Sequence, residues 1–98
     1  MAELTVVYWR DIPAQVMMGR GRGAARAVLP ERFEKAIDRA AMRAGAKDGD
    51  AYTAEWRRVA EAAPEGEPQQ AVAARLAALD AEYDDERLRA LALNEGRA

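Results

Sequence analysis

The chain has 98 residues, half of them hydrophobic, and a net charge of −2 from 15 Lys or Arg and 17 Asp or Glu. It contains neither cysteine nor histidine, which excludes disulfides, thiolate nucleophiles and thiolate metal sites, and removes the commonest general base and transition-metal ligand. The length suits one modest core, and the charge divides into +4 over residues 1–47 and −6 over residues 48–98, halves that either pair with each other or face unlike partners.

Glu3-Leu4-Thr5-Val6-Val7-Tyr8-Trp9-Arg10 is rich in β-branched and aromatic residues and runs into Asp11-Ile12-Pro13, so it reads as a strand ending in a turn. Leu4, Val6 and Tyr8 point one way and Thr5, Val7 and Trp9 the other. Both sets are largely apolar, which predicts a strand that is central or covered on both faces. Pro13 belongs at the turn, and Ala14–Met18 follows as a second strand. Gly19-Arg20-Gly21-Arg22-Gly23 then allows a tight reversal into a third strand over Ala24–Leu29.

Pro30 suits a first helical position and Glu31 the positive end of a helix dipole. The spacing of Phe33, Ile37, Ala40, Ala41 and Ala44 predicts a helix over about 30–44 that stops at Gly45. Asp48-Gly49-Asp50 can cap a second helix over about 50–62, with Tyr52, Trp56, Val59, Ala60 and Ala63 as its stripe and Pro64-Glu65-Gly66 as its end. Pro68 opens a third, with Val72, Leu76, Leu79 and Tyr83 on one face. Continuing that phase would bring Glu86 into the apolar face, so the helix is expected to break near Asp84-Asp85 and a fourth to start there. The expected fold class is α+β, a small antiparallel meander of about three strands followed by three to four helices packed on one face. A single domain over 1–93 with a frayed tail over 94–98 is the expected organisation.

No residue constellation dictates a reaction, and we expect no enzymatic activity and no cofactor or metal. Gly19-Arg20-Gly21-Arg22-Gly23-Ala24 matches the form of a dinucleotide fingerprint, but a strand-like stretch separates it from the next helix and no parallel βαβ unit fits. Asp48 and Asp50 lack the ligand spread of a calcium loop and fit helix capping better. Adjacent carboxylates at Asp84-Asp85-Glu86 diverge on a helix start. No apolar stretch approaches the ~18 residues that cross a bilayer, and Met1-Ala2-Glu3 does not open a basic leader. A cytoplasmic location without membrane attachment is the expectation.

What remains is surface. Trp9 fits either the core or an interface on the second sheet face, and Met17 and Met18 point to opposite faces. The candidate partner-binding residues are Trp9, Arg10, Gln15, Met17, Arg20, Arg22 and Arg26. They imply a docking module for a larger protein. A nucleic-acid binder using the basic first half is the alternative, disfavoured by the acidic balance and by the lack of a base-stacking aromatic series. A homodimer through an exposed third-strand edge stays open.

Tyr8-Trp9-Arg10, Ile12-Pro13-Ala14-Gln15-Val16, Leu29-Pro30-Glu31-Arg32-Phe33, Ala40-Ala41-Met42-Arg43-Ala44-Gly45 and Glu82-Tyr83-Asp84-Asp85-Glu86-Arg87-Leu88 together resemble the short bacterial proteins labelled virulence factor. They are similar to a domain of conserved virulence factor C. The label describes a phenotype, and the resemblance brings no catalytic or binding residues with it. It does imply genes neighbouring folate- and corrinoid-dependent one-carbon enzymes, and hence an enzyme of methyl transfer as the expected larger partner.

Overall fold

The computed structural model describes residues 3–19, 24–45, 49–62 and 67–98. Within them lie β1 (Glu3–Trp9), β2 (Ile12–Met18), β3 (Ala25–Val28), α1 (Glu31–Ala44), α2 (Gly49–Ala54), β4 (Trp56–Ala62), α3 (Pro68–Glu82) and α4 (Asp85–Leu93). The fold is α+β, with an antiparallel sheet in the order β3-β2-β1-β4.

The fourth strand corrects the expected second helix. Only Gly49–Ala54 is helical, and Trp56–Ala62 extends alongside β1 in unbroken register from Trp9↔Trp56 to Glu3↔Ala62. Trp56, Val59 and Ala60 satisfy a helical stripe, but β1, apolar on both faces, needs a neighbour on each edge, and that tertiary demand overrides local spacing. β1 is therefore central, as its composition requires.

Pro13 also departs from expectation. It is buried inside β2, opposite Tyr8, while the next pair is Val7↔Gln15, so Ala14 is an extra residue that bulges. A bulge is where a ladder tolerates proline, and the Ala14 carbonyl turns outward to accept from the Leu29 N–H at 3.0 Å.

Leu4 and Val6 of β1, Val16 and Met18 of β2 and Ala25 of β3 share one face and join the core with Phe33, Ile37, Val72, Leu79, Leu88 and Leu91 from the helices. α1 starts after Pro30 and ends at Gly45, whose φ of 70° is the left-handed conformation glycine adopts without strain. The break after α3 lies where the sequence places it. Tyr83 terminates α3, and the Asp84 carboxylate accepts from the Arg87 N–H at 2.8 Å to cap α4.

Residues 94–98, expected to fray, are instead bonded into the molecule. The Gly96 carbonyl accepts from the Asp11 N–H at 2.8 Å, and the Ala98 N–H donates to the Asp11 carboxylate at 2.7 Å. Gly96 lies so close to Trp9 and Ala40 that a Cβ there would stand 3.1 Å from the indole.

Candidate functional site

The second face of the sheet carries Thr5 and Val7 from β1, Gln15 and Met17 from β2, Arg26 and Val28 from β3, and Arg58 and Ala60 from β4, as alternation and register dictate. Cross-strand pairs Val7↔Gln15↔Val28 and Thr5↔Met17↔Arg26 form two rows across it, extended by Arg58 and Ala60. α3 lies against β2 and β3 on the opposite face, and the molecule is only 19 Å along its shortest axis, the thickness of one sheet and one helical layer.

Exposure follows from that layering. Val28 is 67 % exposed, unusual for a β-branched residue in a strand, whereas Leu4 and Val6 on the helix side are at 2 % and 0 %. Met17 and Gln15 are half-buried, and Arg26 is exposed and donates from Nε to the Gln15 side-chain oxygen Oε1 at 3.1 Å. Val7 is buried between its neighbours Gln15 and Arg58 without joining the main core. The face is thus an apolar strip of Val7, Met17 and Val28 edged by Arg26 and Arg58.

Three of the expected partner-binding residues, Gln15, Met17 and Arg26, come together here. Arg20 and Arg22 lie outside the described residues. Trp9 and Arg10 do not belong to the open face, and both are corrected. Alternation does aim Trp9 toward the second face, but at that end of the sheet α2 and the C-terminal turn fold over it. Trp9 stacks on Tyr52 at 5.7 Å, donates from Nε1 to the Tyr52 carbonyl at 3.0 Å and is fully buried. Arg10 is turned inward as a clamp: Nη1 donates to the Glu95 carbonyl at 2.8 Å, Nη2 meets Glu55 at 3.3 Å, and the guanidinium lies 5.1 Å from the centre of a Trp9 ring.

The residues missed by sequence reasoning are Val28, Trp56, Arg58 and Ala60. Period-two alternation from Met17 through its partner Arg26 would have exposed Val28, but Trp56, Arg58 and Ala60 could be placed only once β4 was known to be a strand. Trp56 is half-buried and edge-on to Tyr52 at 5.8 Å, so it closes the aromatic series Trp9–Tyr52–Trp56 at one end of the open face.

A second surface is a basic groove between α1 and α4. Lys35, Arg39, Arg43 and Arg89 line it over a floor of Ala36, Leu88 and Ala92. Arg39, Arg43 and Arg89 make no ion pair among the described residues.

The tyrosines are the groups that the fold perturbs with chemical consequence. Burial raises Tyr8, with the neighbouring Tyr83 adding to it, and burial likewise raises Tyr52 and Tyr83 above the ordinary phenol value. All three are neutral hydroxyls at physiological pH. Among the described residues no three of His, Cys, Asp and Glu gather as a metal cluster, and no helix is long and apolar enough to cross a membrane.

A family model described as virulence factor matches residues 7–92, most of the chain. No curated protein and no solved structure matches it.

Proposed function

Since the chain belongs to the virulence factor family over residues 7–92, we propose that it is a cytoplasmic, non-enzymatic accessory module that docks on a larger protein through the open face of its sheet. The observation that carries this reading is Val28, 67 % exposed and diagonal to half-buried Met17 on a stretch of the sheet face that α2 does not reach and that, among the described residues, no other helix packs against. A four-stranded sheet with an apolar strip and a charged rim has the make-up of a protein interface, an apolar centre with arginines around it. An enzyme of one-carbon metabolism is the partner class that the family resemblance favours.

The test uses the protein as bait in its native host at physiological salt. One dominant protein should be retained, and Met17→Asp or Val28→Asp should release it while the far-ultraviolet circular dichroism stays unchanged. Retention of the same protein by both variants, or no protein above background, would remove the reading. Arg43→Glu, on the far side of the molecule, serves as a control and should leave capture intact.

The α1–α4 groove favours a second reading, nucleic-acid binding, because Arg39, Arg43 and Arg89 offer guanidinium forks toward phosphates. Titration with mixed RNA and DNA at low salt separates the two. Binding that falls steeply with salt and is lost in Arg39→Glu supports nucleic acid, and no binding at about 50 mM salt rules it out.

A further inference from the structure

The edge of the sheet formed by β4 has properties that natural edges usually avoid. All seven residues, Trp56–Ala62, are in register with β1, without the bulge that interrupts the β1–β2 pairing and without proline. Among the described residues no backbone group pairs with its outer side. The opposite edge, β3, is only four residues long. Shortness, bulges and proline are common means of blunting an edge, and β4 uses none of them; its only protection is the charge of Arg57, Arg58 and Glu61.

Its sequence is self-complementary. Residues directly opposite in a sheet point to the same face, so two copies of a strand related by a two-fold axis normal to the sheet can meet only with one residue opposite its own copy. Centred on Val59, the whole strand overlaps. Arg57 then stands opposite Glu61 of the second copy, Arg58 opposite Ala60, and Trp56 opposite Ala62, each pair occurring twice. Centring on Arg58 would oppose two arginines, and centring on Ala60 would forfeit the Arg57–Glu61 pair. Both charged groups keep capacity for the contact. Arg57 commits Nε to the Arg10 carbonyl and Nη2 to Asp11, and Glu61 receives Nε and Nη2 of Arg75, which leaves donors on the one and lone pairs on the other.

We infer that β4 pairs antiparallel with β4 of a second copy of this chain about an axis through Val59, joining two sheets into one continuous sheet. The open docking face is then presented twice on one side of the dimer, although the pairing stands independently of what that face binds. An edge-to-edge contact buries little side-chain area, so association is reversible, on the order of 10–100 µM.

Sedimentation equilibrium from about 1 to 500 µM reads it. Ala60 is exposed and lies opposite Thr5 within its own sheet, so substitutions there leave the monomer fold alone. Ala60→Glu sets a carboxylate against Arg58 of the second copy at both symmetry positions and should tighten the dimer roughly tenfold, while Ala60→Lys sets like charges together and should weaken it by a similar factor. A monomer throughout the range for both the native chain and Ala60→Glu would overturn the inference. So would a dimer whose affinity does not separate Ala60→Glu from Ala60→Lys, because it would use another surface.

Discussion

Glu95 and Arg10 have φ of 62° and 54°, in the left-handed region that costs a residue with a side chain about 1 kcal/mol, and they are bonded to each other through the Arg10 guanidinium and the Glu95 carbonyl. Glu95 occupies the position after the α4 cap in a Schellman motif, for the Gly96 N–H returns to the Leu91 carbonyl at 2.7 Å and the Glu95 N–H to the Ala92 carbonyl at 3.2 Å. Glycine is the usual residue there, and the carboxylate gains little, approaching Arg10 only at 4.0 Å. Glu95→Gly keeps the carbonyl that Arg10 needs and should raise stability by about 0.5 kcal/mol in urea unfolding. Arg10→Ala removes the clamp on two turns and the stack on Trp9, and should cost about 2–3 kcal/mol in the same measurement. A change under half a kcal/mol in Arg10→Ala would mean that the guanidinium is not holding the turns together.

At the scale of elements, Arg32 governs how α3 hands over to α4. From the first turn of α1 it donates to the carbonyls of Asp80 and Tyr83 at the end of α3 and pairs with the carboxylates of Asp80 and Asp85. Those carbonyls have no intrahelical partner, and one planar fork satisfies two of them. Arg32→Lys retains the charge and loses the fork. It should cost about 1–2 kcal/mol, and amide exchange should quicken at residues 80–88 before β1, whereas a uniform change over the whole chain would show that the junction has no separate role. The same junction was legible in the sequence because its signals are local: the phase change at Glu86 and an acidic cap at Asp84. Pro30, Gly45 and Pro68 made α1 and α3 legible in the same way. β4 was not, since Trp56, Val59 and Ala60 fit a helical stripe and fall on opposite faces of the strand, and the deciding term is the free edge of β1, which no local window contains. The candidate face was legible in Gln15, Met17 and Arg26, which alternation alone assigns to one side. Trp9 followed the same alternation and is nonetheless covered, because α2 and Gly96 close over one end of the sheet.

Over the whole molecule, the opposed charges of the two halves meet across the fold. Arg10 pairs with Glu55 and Arg32 with Asp80 and Asp85, while Asp11 and Arg57 join the halves with the signs reversed. Titration of the whole chain has an unusual form, because the sequence holds no histidine and no cysteine. No side chain therefore has an ordinary pKa between about 5 and 9, and stability should be nearly flat across neutral pH. The tyrosines set the alkaline limit. Tyr8, Tyr52 and Tyr83 are all raised, each chiefly by burial, from an ordinary value of 10.0. Below pH 10 they are protonated in both states, and their contribution is fully present. Above it the unfolded chain loses its phenolic protons first and binds fewer than the folded one, so stability falls as pH climbs through the folded values. Urea unfolding from pH 7 to 11.5 should show a plateau and then a decline starting near pH 10. Tyr83→Phe should make that decline shallower, since it removes one raised phenol and Tyr83's contribution to raising Tyr8. Stability that holds level or rises beyond pH 10 would mean that the buried hydroxyls ionise as readily in the folded protein as in water.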